Sequence, residues 1–410
     1  MNATPDSDPS TFFRKQTTFL TGGTGCLGGC LLYKLVMKLD VKKIYVLARK
    51  SSQHAIAQLR ETMPEHIEDM LATNKILFVV GDVTTQGDLG TDTSILAEMT
   101  STVNIVIHTA ASLDLKSSFS ESLHNNCLPA LQLAQIAARF KLLTRFVFIS
   151  TAYANSFLPG GLVEETIYSV GNAEDHLQQI VETGTVPQNL EGFPFPYAFV
   201  KNITEQLLFS RHSNLPILIV RPTGIMPAMR EPYRHYSRRG SCPGSTYIEA
   251  YMTAPDSGVF RVPPLHPAGT NVLDEIPVDI VANIVLLHLM HGTTGIVHAG
   301  AESFGLPRTL ADFHRDIVEH FPRELHARPP RFQYITDKSE KQGRYAEFWK
   351  VAEGDWHFSN AKSKQLAEMA GPLWIEMSEH KAGQLSKERA RRISEEVVAR
   401  MVSTAPRAAL

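Results

Sequence analysis

The sequence predicts an α/β fold: a doubly wound parallel sheet with a smaller, mainly helical lobe attached. Three observations predict it. Short apolar runs alternate with helical patterns over about the first 150 residues, the rhythm of strands joined by crossover helices. The first apolar run passes straight into a glycine-rich stretch, Thr21-Gly22-Gly23-Thr24-Gly25-Cys26-Leu27-Gly28, which opens a helix. From residue 308 onward helical patterns dominate.

The elements follow in order. Strands are expected at 17–20, 43–48, 76–80, 103–108, 145–149, 217–220 and 295–299. Each is β-prone and bounded by polar or turn-forming residues. The first helix is read from Cys30 to Leu39, where Leu31, Leu32, Leu35, Val36 and Leu39 have helical spacing. Further helical patterns lie at 53–71, 93–100, 119–140, 276–290, 309–321, 359–370 and 378–402. Two stretches, 155–196 and 226–272, are rich in Pro, Gly and aromatics and break the rhythm. They read as insertions above the sheet. The expected organisation is a Rossmann-type dinucleotide-binding domain over 12–300, with both insertions contributing to the substrate lobe, and a mainly helical C-terminal lobe over 301–404. Phe193, Phe195, Tyr247 and Tyr251 are candidates to line the lobe's pocket.

Composition excludes several classes. With 43% hydrophobic and 20% charged residues the chain reads as globular, and a net charge of −2 argues against a nucleic-acid surface. The four cysteines, at 26, 30, 127 and 242, show no metal-ligand spacing, so no metal site is expected and the thiols read as reduced. The opening, MNATPDSDPS, is polar and acidic and resembles neither a signal nor a transit peptide. The closing Arg407-Ala408-Ala409-Leu410 is no peroxisomal signal. The longest apolar run, Ile280 to Met290, is too short to span a bilayer and contains Asn283 and His288. The expectation is a cytoplasmic protein without an integral membrane segment. Oligomeric state is not legible.

Strand, glycine turn and helix N-terminus together make a pyrophosphate site. Glycines let the backbone approach the phosphates, and the unpaired N–H groups of the first helical turn face the negative charge. Thr21 through Gly28 are therefore cofactor candidates. The second strand ends at Arg49, followed by Lys50. An acid at this place holds a ribose 2′-hydroxyl, whereas a base accommodates a 2′-phosphate, so NADPH (NADP) is the expected cofactor. Asp40 precedes the strand and is at the wrong end. Asp82-Val83 follows the third strand and can meet the adenine, although a turn-forming Asp is the other reading. Thr109, Ala110 and Ala111 end the fourth strand and leave room for the middle of the cofactor. His108 beside them reads as packing.

Tyr197 and Lys201 are four residues apart, hence on one helical face. An ammonium beside a phenol is expected to favour the phenolate and lower its pKa from about 10. Such a phenol can give a proton to a carbonyl oxygen as hydride arrives. Ser150-Thr151, at the end of the fifth strand, offers a hydroxyl to that oxygen. Strand alternation implies that only one of the two faces the substrate.

These features resemble the extended short-chain dehydrogenases. They are most similar to the fatty acyl-CoA reductase (male-sterility) branch and to the thioester reductase domains of carboxylic acid reductases and nonribosomal synthetases. The resemblance rests on FLTGGTGCLGG (19–29), VKKIYVLAR (41–49), GDVT (81–84), VNIVIHTAAS (103–112), FVFISTAYAN (146–155), YAFVK (197–201), VRPTGI (220–225) and PVDIVAN (277–283), and covers roughly 17–300. Asp355 to Asn360 faintly resembles the opening of that family's C-terminal domain. The resemblance implies that Asn126 lies near the active site, with a helix cap as its alternative role. It implies that Pro222-Thr223-Gly224 lies against the nicotinamide, and that Thr151 is the substrate-facing hydroxyl. It implies reduction of an acyl thioester, carried on CoA or on an acyl carrier protein, to the aldehyde and possibly the alcohol. The alternative is a short-chain dehydrogenase acting on a free ketone, aldehyde or hydroxyl, or a sugar-nucleotide epimerase. A cofactor-sensing regulator is a third class, against which the intact Tyr197/Lys201 pair argues. Finally, Arg230, Arg234, His235, Arg238 and Arg239 form a dense basic cluster, read as a cationic mouth for the thioester's phosphate or as a solvated loop.

Overall fold

Strands covered on both faces read as largely apolar runs rather than as alternating ones, and the seven strands of the main sheet read so, apart from the threonines of the first and a single charged residue or histidine in most of the others. They are β1 (Thr17–Thr21), β2 (Lys43–Ala48), β3 (Ile76–Val80), β4 (Ile105–His108), β5 (Arg145–Ile149), β6 (Ile217–Pro222) and β7 (Gly295–Ala299). In the computed structural model they pair in the order β7-β6-β5-β4-β1-β2-β3, all parallel. Residues 8–186, 193–254, 259–262, 269–301, 308–324, 328–334, 354–367, 371–375 and 379–404 are described by the structure. Parts of both insertions, of the 301–404 lobe, and the ends of the helices expected at 359–370 and 378–402 lie outside them, as do Met1–Ser7 and the closing Arg407–Leu410.

The architecture is Rossmann-type. Strand order reverses between β1 and β4, so the carboxyl ends of these two strands open a crevice. Helices Cys26–Tyr33 and Val278–Met290 contribute to the core on one face of the sheet, and helices Leu128–Ala137 and Pro196–Arg211 to the core on the other.

Two long helical expectations are broken for a physical reason. The 53–71 pattern is two helices, Ser52–Thr62 and Ile67–Ala72, separated around Pro64. Proline disfavours helical backbone at the residue before it. The 119–140 pattern passes through a π-helical turn, Leu123–Cys127, just ahead of Pro129. Proline has no N–H and its ring pushes away the carbonyl one turn earlier, so the helix widens there.

Helices Pro243–Met252, Leu310–Glu319 and Glu379–Thr404 build a separate small core. Its members include Tyr247, Tyr251, Phe313, Ile317, Ala390 and Val397. Three short strand pairs stitch distant segments together. Gly224–Met226 pairs with Glu275–Pro277, Val259–Val262 with Arg331–Tyr334, and Gly161–Val163 with Trp356–Phe358. The last pair docks the 355–360 motif beside β5's exit, where the Trp356 indole N–H donates to Leu158 O at 3.0 Å. Among the described residues no helix is long and apolar enough to cross a membrane.

Candidate active site

The glycine turn is shaped by contacts that admit no side chain. Gly22 has φ +72°, and a Cβ there would lie 2.7 Å from the Ala110 backbone nitrogen. A Cβ on Gly28 would lie 2.1 Å from Gly22 O. Turn and helix thus close to van der Waals distance, which only glycine permits. Gly25 caps helix Cys26–Tyr33 without a side-chain hydrogen bond, leaving first-turn N–H groups for an anion. Gly23 faces Val46 of β2. Thr21 is fully buried, with its hydroxyl 2.7 Å from His108 Nδ1, and Thr109 donates to Thr21 O at 2.8 Å. Burial holds the His108 imidazole down to about 3, so it stays neutral, and the ring stacks on Phe148. His108 is packing, as expected. A neutral cradle that a Cβ would fill suits a dinucleotide diphosphate.

Arg49 and Lys50 are exposed just past β2, on the strand paired with β1. Arg49 has no hydrogen bond or ion pair with any described residue. Asp82 forms a turn: its Oδ1 accepts the Thr84 N–H and hydroxyl, each at 2.9 Å. Val83 borders a different cavity, of about 580 Å³, together with His124, Leu128 and Gln132. Asn126 is no helix cap. The helix already starts at Phe119 under Ser118, and Asn126 sits buried inside the π-helical turn. There its Oδ1 accepts the Ser112 N–H at 2.9 Å, fixing the loop that follows β4. It does not border the central cavity.

That cavity, of about 620 Å³, lies over the carboxyl ends of β1, β4, β5 and β6. Gly22, Gly25, Cys26, Leu27, Gly28, Thr109 and Ala111 form one wall. Ser150, Thr151, Tyr197 and Lys201 share it with Pro222, Thr223 and Gly224. Ala110 packs into the adjoining core instead. Thr223 is positioned by its own hydrogen bond to Asp274 Oδ1 at 2.8 Å.

The structure corrects two expectations here. Ser150 and Thr151 both border the cavity, because β5 ends at Ile149 and strand alternation ends with it. The Thr151 hydroxyl oxygen accepts the Tyr153 N–H at 3.3 Å as the cap of a short 3₁₀ turn, whereas the buried Ser150 hydroxyl has no partner among the described residues. The second correction concerns Tyr197. Its phenol is not acidified. Burial pushes its pKa upward, and the Lys201 ammonium lies 5.7 Å from the ring centroid. Lys201 instead donates to Ile149 O at 2.8 Å. Burial draws the Lys201 pKa down to about 7, opposed by the nearby Glu205 carboxylate. Glu205 in turn makes a fully buried, two-pronged pair with Arg221, at 3.0 and 2.5 Å.

In the lobe, Phe195, Tyr247, Leu273 and Phe313 border the same cavity. Phe193 packs instead on Phe157 and Phe199, and Tyr251 is fully buried against Phe332. Sequence reasoning missed Glu275 in this wall. Both its oxygens accept from Arg389, at 2.9 and 2.6 Å, and Arg389 comes from helix Glu379–Thr404. No local signal links residues 114 positions apart. The basic cluster is no single mouth. Arg230 stacks over Trp374, Arg234 pairs with Glu388, and His235 lies 3.4 Å from the same carboxylate. Only Arg238 and Arg239 border the cavity. Arg239 pairs with Glu249 at 2.7 Å.

Residues 20–285 match the family model described as male sterility protein, an NAD-binding domain. A putative fatty acyl-CoA reductase of Drosophila melanogaster is 28% identical over 356 residues, 82% of this chain and 64% of that protein. A probable fatty acyl-CoA reductase of Arabidopsis thaliana is 26% identical over 363 residues, 76% of this chain and 71% of that protein. The chain spans under two thirds of the length of the Drosophila relatives, 64% and 60%. Among solved structures, the terminal R domain of the myxalamid PKS-NRPS pathway superposes with a TM-score of 0.65 at 17% identity, covering 95% of this chain and 92% of that one. The UDP-N-acetylglucosamine 4-epimerase of Methanobrevibacter ruminantium gives 0.57 at 14%, covering 93% and 99%. At these identities the superpositions establish the fold alone.

Proposed function

This chain belongs to the male sterility protein family, and from that premise we propose that it is an NADPH-dependent reductase of an acyl thioester. One observation carries the reading. A single cavity joins the glycine turn to Ser150, Thr151, Tyr197 and Lys201, so a dinucleotide and an acyl carbonyl fit side by side. The relatives named as fatty acyl-CoA reductases support the thioester as substrate. In this reading residues 12–300 bind the dinucleotide, and the inserted segments with 301–404 bind the acyl chain.

The turn Thr21–Gly28 would hold the diphosphate, Arg49 with Lys50 the 2′-phosphate, Asp82, past β3, the adenine side, and Pro222–Gly224 the nicotinamide side. When bound, the dinucleotide supplies the hydride. The chain's own residues handle the oxygen and the proton. Thr151, supported by Ser150, donates a hydrogen bond to the carbonyl oxygen, which becomes an oxyanion as the carbon is reduced. Tyr197, half-buried on the cavity wall and protonated, gives that oxygen its proton. The tetrahedral hemithioacetal then collapses to aldehyde and thiol. Lys201 holds the Tyr197 side of the site and the nicotinamide ribose. Asn126 positions the loop after β4.

The test is consumption of NADPH at 340 nm (the absorbance of the reduced nicotinamide) over short, long, aromatic and polyketide-like acyl thioesters, with products identified. Free thiol matched by the sum of aldehyde and any alcohol formed from it supports the reading. Turnover confined to free ketones, aldehydes or hydroxyls, or epimerisation without net NADPH use, would replace it.

A further inference from the structure

We infer that Arg238 is the counter-charge for the diphosphate of the bound dinucleotide, delivered by a strap that crosses the glycine turn. The inference rests on the dinucleotide reading above. It assigns to the cofactor a residue whose sequence context pointed to the thioester.

The strap is residues 226–242, and it is tied down along its length. The buried Asp279 carboxylate accepts the N–H groups of Met229, Arg230 and Glu231 at 2.8–3.1 Å. Tyr233 donates to Thr62 O at 2.6 Å. Tyr236, buried, donates to Cys26 O at 3.1 Å. That last contact explains Gly29: a Cβ there would lie 2.4 Å from the Tyr236 hydroxyl. The second glycine of Gly28-Gly29 therefore serves the strap, while the first serves the turn.

Beyond Tyr236 the chain makes a tight turn, with Ser241 N–H donating to Arg238 O at 3.0 Å and Gly240 at φ +77°. This turn sets the Arg238 guanidinium on the glycine turn, where Nη1 donates to Thr24 O at 3.3 Å. Arg238 borders the same cavity as Gly22, Gly25 and Cys26. It has no carboxylate or aromatic partner among the described residues, unlike Arg230, Arg234 and Arg239 beside it.

Charge balance supplies the reason. A dinucleotide diphosphate carries two negative charges, whereas the turn Thr21–Gly28 offers only neutral N–H and hydroxyl donors. A guanidinium has five N–H donors, and one is used on Thr24. The remaining ones can make charge-assisted bonds to phosphate oxygens, which are about twice as strong as neutral ones. Arg49, past β2, is left for the 2′-phosphate.

The test is a binding titration without thioester, following NADPH and NADH fluorescence for wild type, Arg238→Met, Arg238→Lys and Arg49→Ala. Arg238→Met is expected to weaken both dinucleotides alike, by roughly ten- to a hundredfold, the cost of one charged hydrogen bond. Arg238→Lys recovers most of that loss. Arg49→Ala weakens NADPH alone. With fragments, Arg238→Met weakens ADP-ribose and leaves 2′-AMP untouched. A loss confined to NADPH and 2′-AMP would move Arg238 to the 2′-phosphate and overturn the assignment. Unchanged affinities would also overturn it, as would an equal failure of Arg238→Lys with a lowered melting temperature, which marks a structural role. Wild-type protein that binds neither dinucleotide would instead sink the reductase reading itself.

Discussion

The ammonium of Lys201 is hydrogen-bonded to the carbonyl of Ile149, the last residue of β5, at 2.8 Å. The helix that carries Tyr197 is thus tied to the strand that delivers Ser150 and Thr151, so the phenol and the two hydroxyls keep one geometry.

Lys201 gives the site a pH dependence with a defined sign. Its folded pKa, about 7, lies below its ordinary value of 10.5. Between those values the unfolded chain holds the extra proton, so this residue makes stability rise with pH from about 7 towards 10.5. Dinucleotide affinity runs the other way, because only the ammonium attracts it. Affinity of the free enzyme is expected to fall as pH passes through about 7, and Lys201→Met is expected to flatten that step. A wild-type binding profile with no inflection between pH 6 and 9 would contradict the assignment.

Tyr197→Phe should lower turnover by roughly 10²–10⁴, the usual worth of a positioned general acid. Thr151→Val should lower it too, with Thr151→Ser recovering much of the loss. Neither should move NADPH affinity, since both groups act on the substrate oxygen. Steady-state rates beside a fluorescence titration separate the two quantities.

Cofactor preference should rest on Arg49. NADPH is expected to bind at least about tenfold more tightly than NADH, about 1.4 kcal/mol. Arg49→Ala should erase most of that difference by removing a charge-assisted partner of the 2′-phosphate. Equal affinities in the wild type would refute the NADPH assignment.

The buried Glu205–Arg221 pair predicts an asymmetry in stability. Glu205→Gln leaves a buried guanidinium without its counter-charge and should cost about 3–5 kcal/mol. The double variant Glu205→Met with Arg221→Met should cost less than Glu205→Gln alone, because no uncompensated charge remains. Urea midpoints of the three proteins decide this. A double variant that loses as much as Glu205→Gln, or more, would show that the pair is worth more than its desolvation.

Much of the sheet was legible because strands covered on both faces are continuous apolar runs, and β2, β3, β5 and β7 start and end where those runs do. The glycine turn was legible because its constraints are local. What failed depended on contacts between distant residues. Phenol acidity could not be read from Tyr-x-x-x-Lys spacing, since burial and the Ile149 carbonyl outweigh the lysine. Ser150 and Thr151 share the cavity because both lie past Ile149, where strand alternation no longer applies. A helix cap was one reading of Asn126, but the helix expected at 119–140 does begin at Phe119 under the Ser118 capping box, and Asn126 lies inside it in the π-helical turn. The basic cluster looked like one surface, although each cation has a different neighbour. Three-residue strands such as Gly161–Val163 have too few positions to show a period.

The Glu275–Arg389 pair has a consequence for synthesis on the ribosome. The chain emerges from its N-terminus, so every segment of the glycine turn and of β1 to β6 leaves the exit tunnel well before Arg389 does. The nucleotide crevice can fold while translation continues. The wall bearing Glu275 must wait until Arg389 emerges, 114 residues later. Until then Tyr247, and Phe313 once it has emerged, lack the helix that packs against them, so this lobe's apolar surface stays uncovered longer than that of the crevice.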